Sequence, residues 1–116
     1  GFPRGCSDEA FPWDRTGDNP NDTKYPFVCH AELNAILNSN GIGIKGARIY
    51  VALFPCNECA KAIIQAGIKE VIFMSDKYAN TDNNRASRKM LEAAGIKLTK
   101  FESGKTITLD FNAEKV

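Results

Sequence analysis

The sequence has almost no excess charge. Its 15 Lys and Arg stand against 14 Asp and Glu, a formal net charge of +1 over 116 residues. The basic residues are dispersed among acids, so the chain shows no basic stripe that would hold a nucleic-acid backbone. That balance favours a small anionic substrate over a polymer. Long apolar runs are missing too. Stretches such as Val71-Ile72-Phe73-Met74 are far too short to span a bilayer, which argues against a membrane partner. No basic start followed by an apolar stretch marks a secretory signal. Internal repeats and low-complexity stretches are absent. Histidine is nearly absent as well: His30 is the only one, so any imidazole chemistry falls on that residue.

What is present is ordinary in bulk. The 43% hydrophobic and 25% charged content suits a soluble globular domain, and the length suffices for one. Residues 1–116 are therefore read as a single domain. The four cysteines are more informative. Two disulfides would suit a secreted protein, yet Cys56 and Cys59 form a C-x-x-C pair directly after Pro55, with His30 upstream. Without secretory context that pattern points to metal binding in a reducing, intracellular compartment, with the cytoplasm expected and the nucleus compatible.

The chain punctuates clearly. Gly1 to Phe27 is rich in Gly, Pro, Asp and Asn without a lasting period, and reads as a long ordered loop. Helical spacing runs from His30 to about Asn38, with Leu33, Ile36 and Leu37 as its apolar face. Gly41, Gly43 and Gly46 break it. Arg48 to Phe54 lacks polar alternation and predicts a buried strand. Pro55 suits the first position of a second helix, which Gly67 stops. Lys69 to Met74 predicts another buried strand. Asp82 or Asn83 is the expected cap of a third helix reaching Ala94 and ended by Gly95. Lys97–Phe101 and Thr106–Phe111 read as two strands joined at Ser103-Gly104. Strands alternating with helices imply an α/β fold with parallel pairing and right-handed crossovers.

The chemistry concentrates where two of these helices begin. Cys56 and Cys59 are three apart, so their sulfurs share one side of the first turn. The positive end of the helix is expected to favour both as thiolates. With His30 they form three protein ligands, a set suited to tetrahedral Zn2+ with one position open for water. Glu32, two residues from His30, is the expected proton carrier. As a non-ligand beside a metal-bound water, it could carry protons between that water and a substrate. A structural zinc site would need a fourth ligand. Cys29 adjoins His30, where side chains diverge, and Cys6 and Cys29 read as small free thiols.

The pattern His30-Ala31-Glu32 followed by Pro55-Cys56-Asn57-Glu58-Cys59 resembles the signature of zinc-dependent deaminases. The flanking residues go further. Thr23 to Ile36, Tyr50 to Lys61, Ala66 to Tyr78 and the opening Gly1 to Asp8 closely resemble the animal deoxycytidylate (dCMP) deaminases of the cytidine and deoxycytidylate deaminase family. The resemblance covers nearly the whole chain. It implies a cytidine-deaminase-like three-layer αβα sandwich with a mixed sheet, conversion of dCMP to dUMP and ammonia, and supply of dUMP for thymidylate synthesis. It further implies one Zn2+ held by His30, Cys56 and Cys59, Glu32 as proton shuttle, the Ala31 N–H as a partner of the base, and Tyr78 near sugar or base. Homo-oligomers, often hexamers, are expected, activated by dCTP (with Mg2+ compatible with the bound effector) and inhibited by dTTP. Gly5, Cys6, Ser7 and Asp8 are candidate effector residues, although a simple turn accounts for them equally. Members of the family carry a first helix, a first hairpin and a nucleotide-holding Asn before the Gly1-like position, so the domain reads as N-terminally truncated. Two alternatives are a polynucleotide (tRNA-type) base deaminase and a non-catalytic zinc-stabilised interaction module.

Overall fold

The computed structural model describes residues 1–40 and 42–110. Its elements in chain order are α1 (Ala31–Asn38), β1 (Arg48–Leu53), α2 (Asn57–Gln65), β2 (Glu70–Ser75), α3 (Asp82–Ala93) and β3 (Lys97–Lys100). The three strands pair in parallel in the order β1-β2-β3, with Tyr50 opposite Ile72 and Ile72 opposite Thr99. β1 and β2 are each followed by a helix that returns the chain to the same end of the sheet. Because strand order equals chain order, crossovers of one hand carry α2 and α3 to the same face. There α2 packs on both α1 and α3.

The core lies between that face and the helices. Alternation along the strands sends Ile49, Val51, Val71, Phe73 and Leu98 inward, where they meet Ala60 and Ile63 of α2 and Leu91 of α3. Phe54 and Phe73 meet edge to face with centroids 5.0 Å apart. Ile63, Val71 and Leu91 are completely buried. β2 is the buried strand that its composition predicts. β1, predicted to be buried, is not. It is the edge of the described sheet, and Tyr50 on its outer face is 69% exposed. Met74 and Phe101 share that open face with it. The described residues thus carry two of the three expected layers and only the parallel part of the expected mixed sheet. Strand order explains this, since a monotonic series of right-handed crossovers covers one face alone.

Several boundaries differ from expectation for local reasons. Pro55 does not enter α2. Cys56 is the N-cap, its sulfur accepting the Cys59 N–H at 3.4 Å, and Pro55 lies one residue before it. α3 is capped by Thr81 rather than Asp82 or Asn83. Thr81 holds the extended backbone that a cap needs and accepts the Asn84 N–H, while Asp82 moves into the first turn and pairs with Arg85. Gly67 and Gly95 follow the ends of α2 and α3 at φ +80° and +73°, the left-handed conformation that a helix stop requires. Leu37, predicted on the apolar face of α1, is exposed, whereas Ile36 packs against the core. Thr106–Asp110 forms no strand, and Gly41 and Phe111 lie outside the described residues.

The N-terminal loop is ordered by aromatic packing in place of a backbone ladder. Phe2 stands 4.5 Å from Trp13 and 5.5 Å from Phe11, which in turn meets Phe27 edge-on at 5.2 Å. The Lys24 N–H donates to the Asp14 carbonyl, and the Cys29 N–H to the Gly1 carbonyl at 2.7 Å. The loop therefore closes on itself and delivers the chain to His30 at the mouth of α1.

Candidate functional site

Two helix starts converge beside the C-terminal end of β1. His30 caps α1 and Cys56 caps α2, so both side chains come from residues with extended backbone at a helix mouth. α1 packs on α2, which brings the two mouths together. His30 Nδ1 lies 3.5 Å from Cys56 Sγ and 3.5 Å from Cys59 Sγ. The three ligand atoms all lie within 4.8 Å of one another.

These separations test whether a metal fits. Around tetrahedral zinc, with Zn–N about 2.0–2.1 Å and Zn–S about 2.3 Å, a nitrogen and a sulfur ligand stand about 3.5–3.6 Å apart. The two N···S distances match that value, so His30, Cys56 and Cys59 suit zinc with His30 bound through Nδ1. The helix start was expected to ease ionisation of both thiols, but at Cys59 the protein alone does the opposite. Burial, then hydrogen bonds with Glu32 and Cys56, push the Cys59 thiol far above its ordinary range. Desolvation outweighs the helix start there, and a cation bound between the ligands would reverse the balance.

Glu32 is half-buried in the first turn of α1 and reaches Cys59, while standing outside the three-ligand set. It lines a cavity of about 370 Å³ together with His30, Ala31, Cys56, Phe54 and Tyr78. The structure therefore brings the two expected nucleotide-side residues, Ala31 and Tyr78, to the same cavity as the ligand set. Ala31 is the first residue of α1, where an N–H has no intrahelical partner. Gly5, Cys6, Ser7 and Asp8 stand apart from these as turns. Gly5 has φ +86°, the Cys6 N–H donates to the Pro3 carbonyl, and Ser7 accepts the Ala10 N–H.

Besides Leu53, two further residues reach the cavity that the sequence did not mark as site residues. Phe54 directly follows β1 and turns its ring to the wall, held by the Arg88 guanidinium 4.6 Å from the ring centroid. Asn84 comes from the first turn of α3. Neither carries a motif. The available signal is the stripe Asn84, Ser87, Leu91 at helical spacing, polar where an inward face should be apolar. Ser87 is fully buried and its hydroxyl donates to the Pro55 carbonyl at 2.7 Å, which ties α3 to the loop that carries Cys56.

Comparison with known proteins agrees with this geometry. Residues 15–75 match the family described as the cytidine and deoxycytidylate deaminase zinc-binding region. The human deoxycytidylate deaminase is 59% identical over 114 residues, covering 97% of this chain and 64% of the human protein. A probable deoxycytidylate deaminase of Drosophila melanogaster is 51% identical over 118 residues, covering 97% of this chain and 58% of that protein. The chain thus spans less than two thirds of the length of these relatives. Among solved structures, the dCMP deaminase of cyanophage S-TIM5 in complex with dCMP and dUMP superposes with a TM-score of 0.57 at 27% identity, covering 87% of this chain and 68% of that one. With the family match spanning more than half of its residues and the candidate metal ligands His30, Cys56 and Cys59 inside the matched region, the chain belongs to the cytidine and deoxycytidylate deaminase family.

Proposed function

We propose that the protein hydrolyses dCMP to dUMP and ammonia. The observation that carries this reading is the single cavity on which His30, Cys56, Glu32 and Tyr78 converge, with Cys59 completing a zinc-sized ligand set behind them. Zinc bound there would supply an acidified water near neutral pH. His30, Cys56 and Cys59 hold the metal, and the Ala31 N–H offers a donor to the pyrimidine ring. Glu32 would take one proton from the attacking water and deliver it to ring N3. It would then take the proton of the new C4 hydroxyl and pass it to the amine, which leaves as ammonia while C4 becomes a carbonyl. Its position beside Cys59 but outside the ligand set keeps its carboxylate available for that transfer. Tyr78 packs along the sugar or base.

The relatives named as deoxycytidylate deaminases and the phage enzyme solved with dCMP and dUMP support the choice of substrate. The near-neutral net charge supports a small nucleotide over a polynucleotide. In the same reading the enzyme is a homo-oligomer of the cytoplasm that supplies dUMP for thymidylate synthesis. It is activated by dCTP with Mg2+, inhibited by dTTP, and senses effectors through the Gly5–Asp8 turns. None of the described helices is long and apolar enough to cross a membrane. The test is ammonia release by the zinc-loaded, full-length protein with dCMP or single-stranded RNA as substrate. Turnover of dCMP is expected, and release from RNA but not from dCMP would transfer the reading to a polynucleotide deaminase. Changing Glu32 to Gln should abolish turnover, by about 10²–10⁴-fold, while zinc content stays constant. An interaction module would show no turnover in either form.

A further inference from the structure

Resting on that reading, we propose that Asn84 is a specificity-determining residue that donates a hydrogen bond to an oxygen of the sugar–phosphate part of the nucleotide. The polar side chains on the cavity divide by origin. His30, Glu32 and Cys56 come from the two helix mouths and are committed to metal and protons, whereas Tyr78 and Asn84 come from the segment after β2 and from α3. The reacting ring must lie against the first group, because its C4 has to meet the attacking water. The sugar and phosphate then face the rest of the lining.

Asn84 suits that task in three respects. It is half-buried, and among the described residues no hydrogen bond of its carboxamide is found, although its backbone N–H is used by the Thr81 cap. A carboxamide turned into a cavity brings two N–H donors and an acceptor that call for partners. Its position is also rigid. Ser87, one turn along on the same face, is fixed to the Pro55 carbonyl at 2.7 Å, and Arg88 stacks on Phe54 of the same cavity wall. Asn84 is thus held at a set distance from Cys56 by buried contacts and not by a mobile loop. Finally, it lies in the first turn of α3, where the helix favours an anionic or oxygen-rich partner, and the nearby Asp82 carboxylate is engaged by Arg85 at 2.7 Å.

The experiment compares steady-state kinetics of wild type, Asn84→Ala and Asn84→Asp in the zinc-loaded, full-length protein with dCMP. Alanine is a good helix former and removes no protein–protein bond, so folding should survive. The expected result for Asn84→Ala is a KM raised about 5–50-fold with kcat within about twofold and zinc content unchanged, the pattern of a lost binding contact away from the reacting atoms. Asn84→Asp separates the two sources of oxygen. A phosphate partner makes the carboxylate variant worse than Asn84→Ala, while a sugar hydroxyl, which can donate to the carboxylate, brings KM back toward wild type. Either result supports the assignment. An Asn84→Ala enzyme with unchanged KM, or one that loses only kcat, overturns it while leaving the deaminase reading intact. A wild type that releases no ammonia from dCMP removes both.

Discussion

Replacing Ser87 by Ala probes the link between the helical layer and the metal loop. The Ser87 side chain is fully buried, and its hydroxyl is 2.7 Å from the Pro55 carbonyl, itself buried one residue before Cys56. Alanine conserves the backbone and fills all but one oxygen of the space, so the cavity left is too small to dominate. The main cost is the carbonyl stranded away from water. A neutral hydrogen bond contributes about 0.5–1.5 kcal/mol net, and a buried acceptor left without its partner costs about 1–3 kcal/mol. The variant should therefore lose about 2 kcal/mol, which for a domain of this size lowers Tm by about 5–10 °C. Zinc affinity should fall as well, about 3–10-fold, because Pro55 loses the anchor that sets where Cys56 stands. Thermal unfolding followed by circular dichroism measures the first effect, and competition against a chelator measures the second. Lys89→Ala, exposed on the same helix, is the control. A Ser87→Ala protein that melts within 1–2 °C of wild type (less than ~0.5 kcal/mol) and holds zinc as tightly would refute the link.

Other consequences follow from single positions. At Gly67, φ is +80° and an added Cβ would stand 3.1 Å from Lys45 Cγ, so Gly67→Ala should cost about 1–2 kcal/mol, read as a lower midpoint in urea at constant m-value. Zinc binding must expel a proton from the Cys59 thiol, which burial, Glu32 and Cys56 hold in its neutral form. Apparent zinc affinity should therefore rise with pH, about tenfold per unit for each thiol still protonated; a flat profile between pH 6 and 8 would contradict the thiol ligands. Cys59→Ala should empty the site and abolish turnover together, in contrast to Glu32→Gln, which should separate the two.

The ligand set was legible because its spacing is local. Cys56 and Cys59 share a helix turn whatever the rest of the chain does, and His30 and Glu32 share another. The helix stops at Gly67 and Gly95 were equally legible, since the left-handed conformation is written in the residue itself. Cap identity was harder. Thr81, Asp82 and Asn83 are all competent caps, and the choice fell on the residue whose backbone is extended. The burial of β1 was misread because apolar composition reports what a strand could pack against and not which neighbours it has. Asn84 carried no local mark at all.

By itself the sequence determined the order of elements from α1 to β3, the helix stops and the residue types of the candidate metal site, because each depends on contacts within one or two turns of chain. The tertiary structure alone decided that His30 Nδ1 meets two sulfurs at 3.5 Å, that burial raises the Cys59 thiol above its ordinary range, and that Asn84 shares a cavity with Glu32. Those facts depend on how parallel crossovers stack α1, α2 and α3 on one face of the sheet. Distances between helices separated by dozens of residues are set by core packing, which no local pattern encodes.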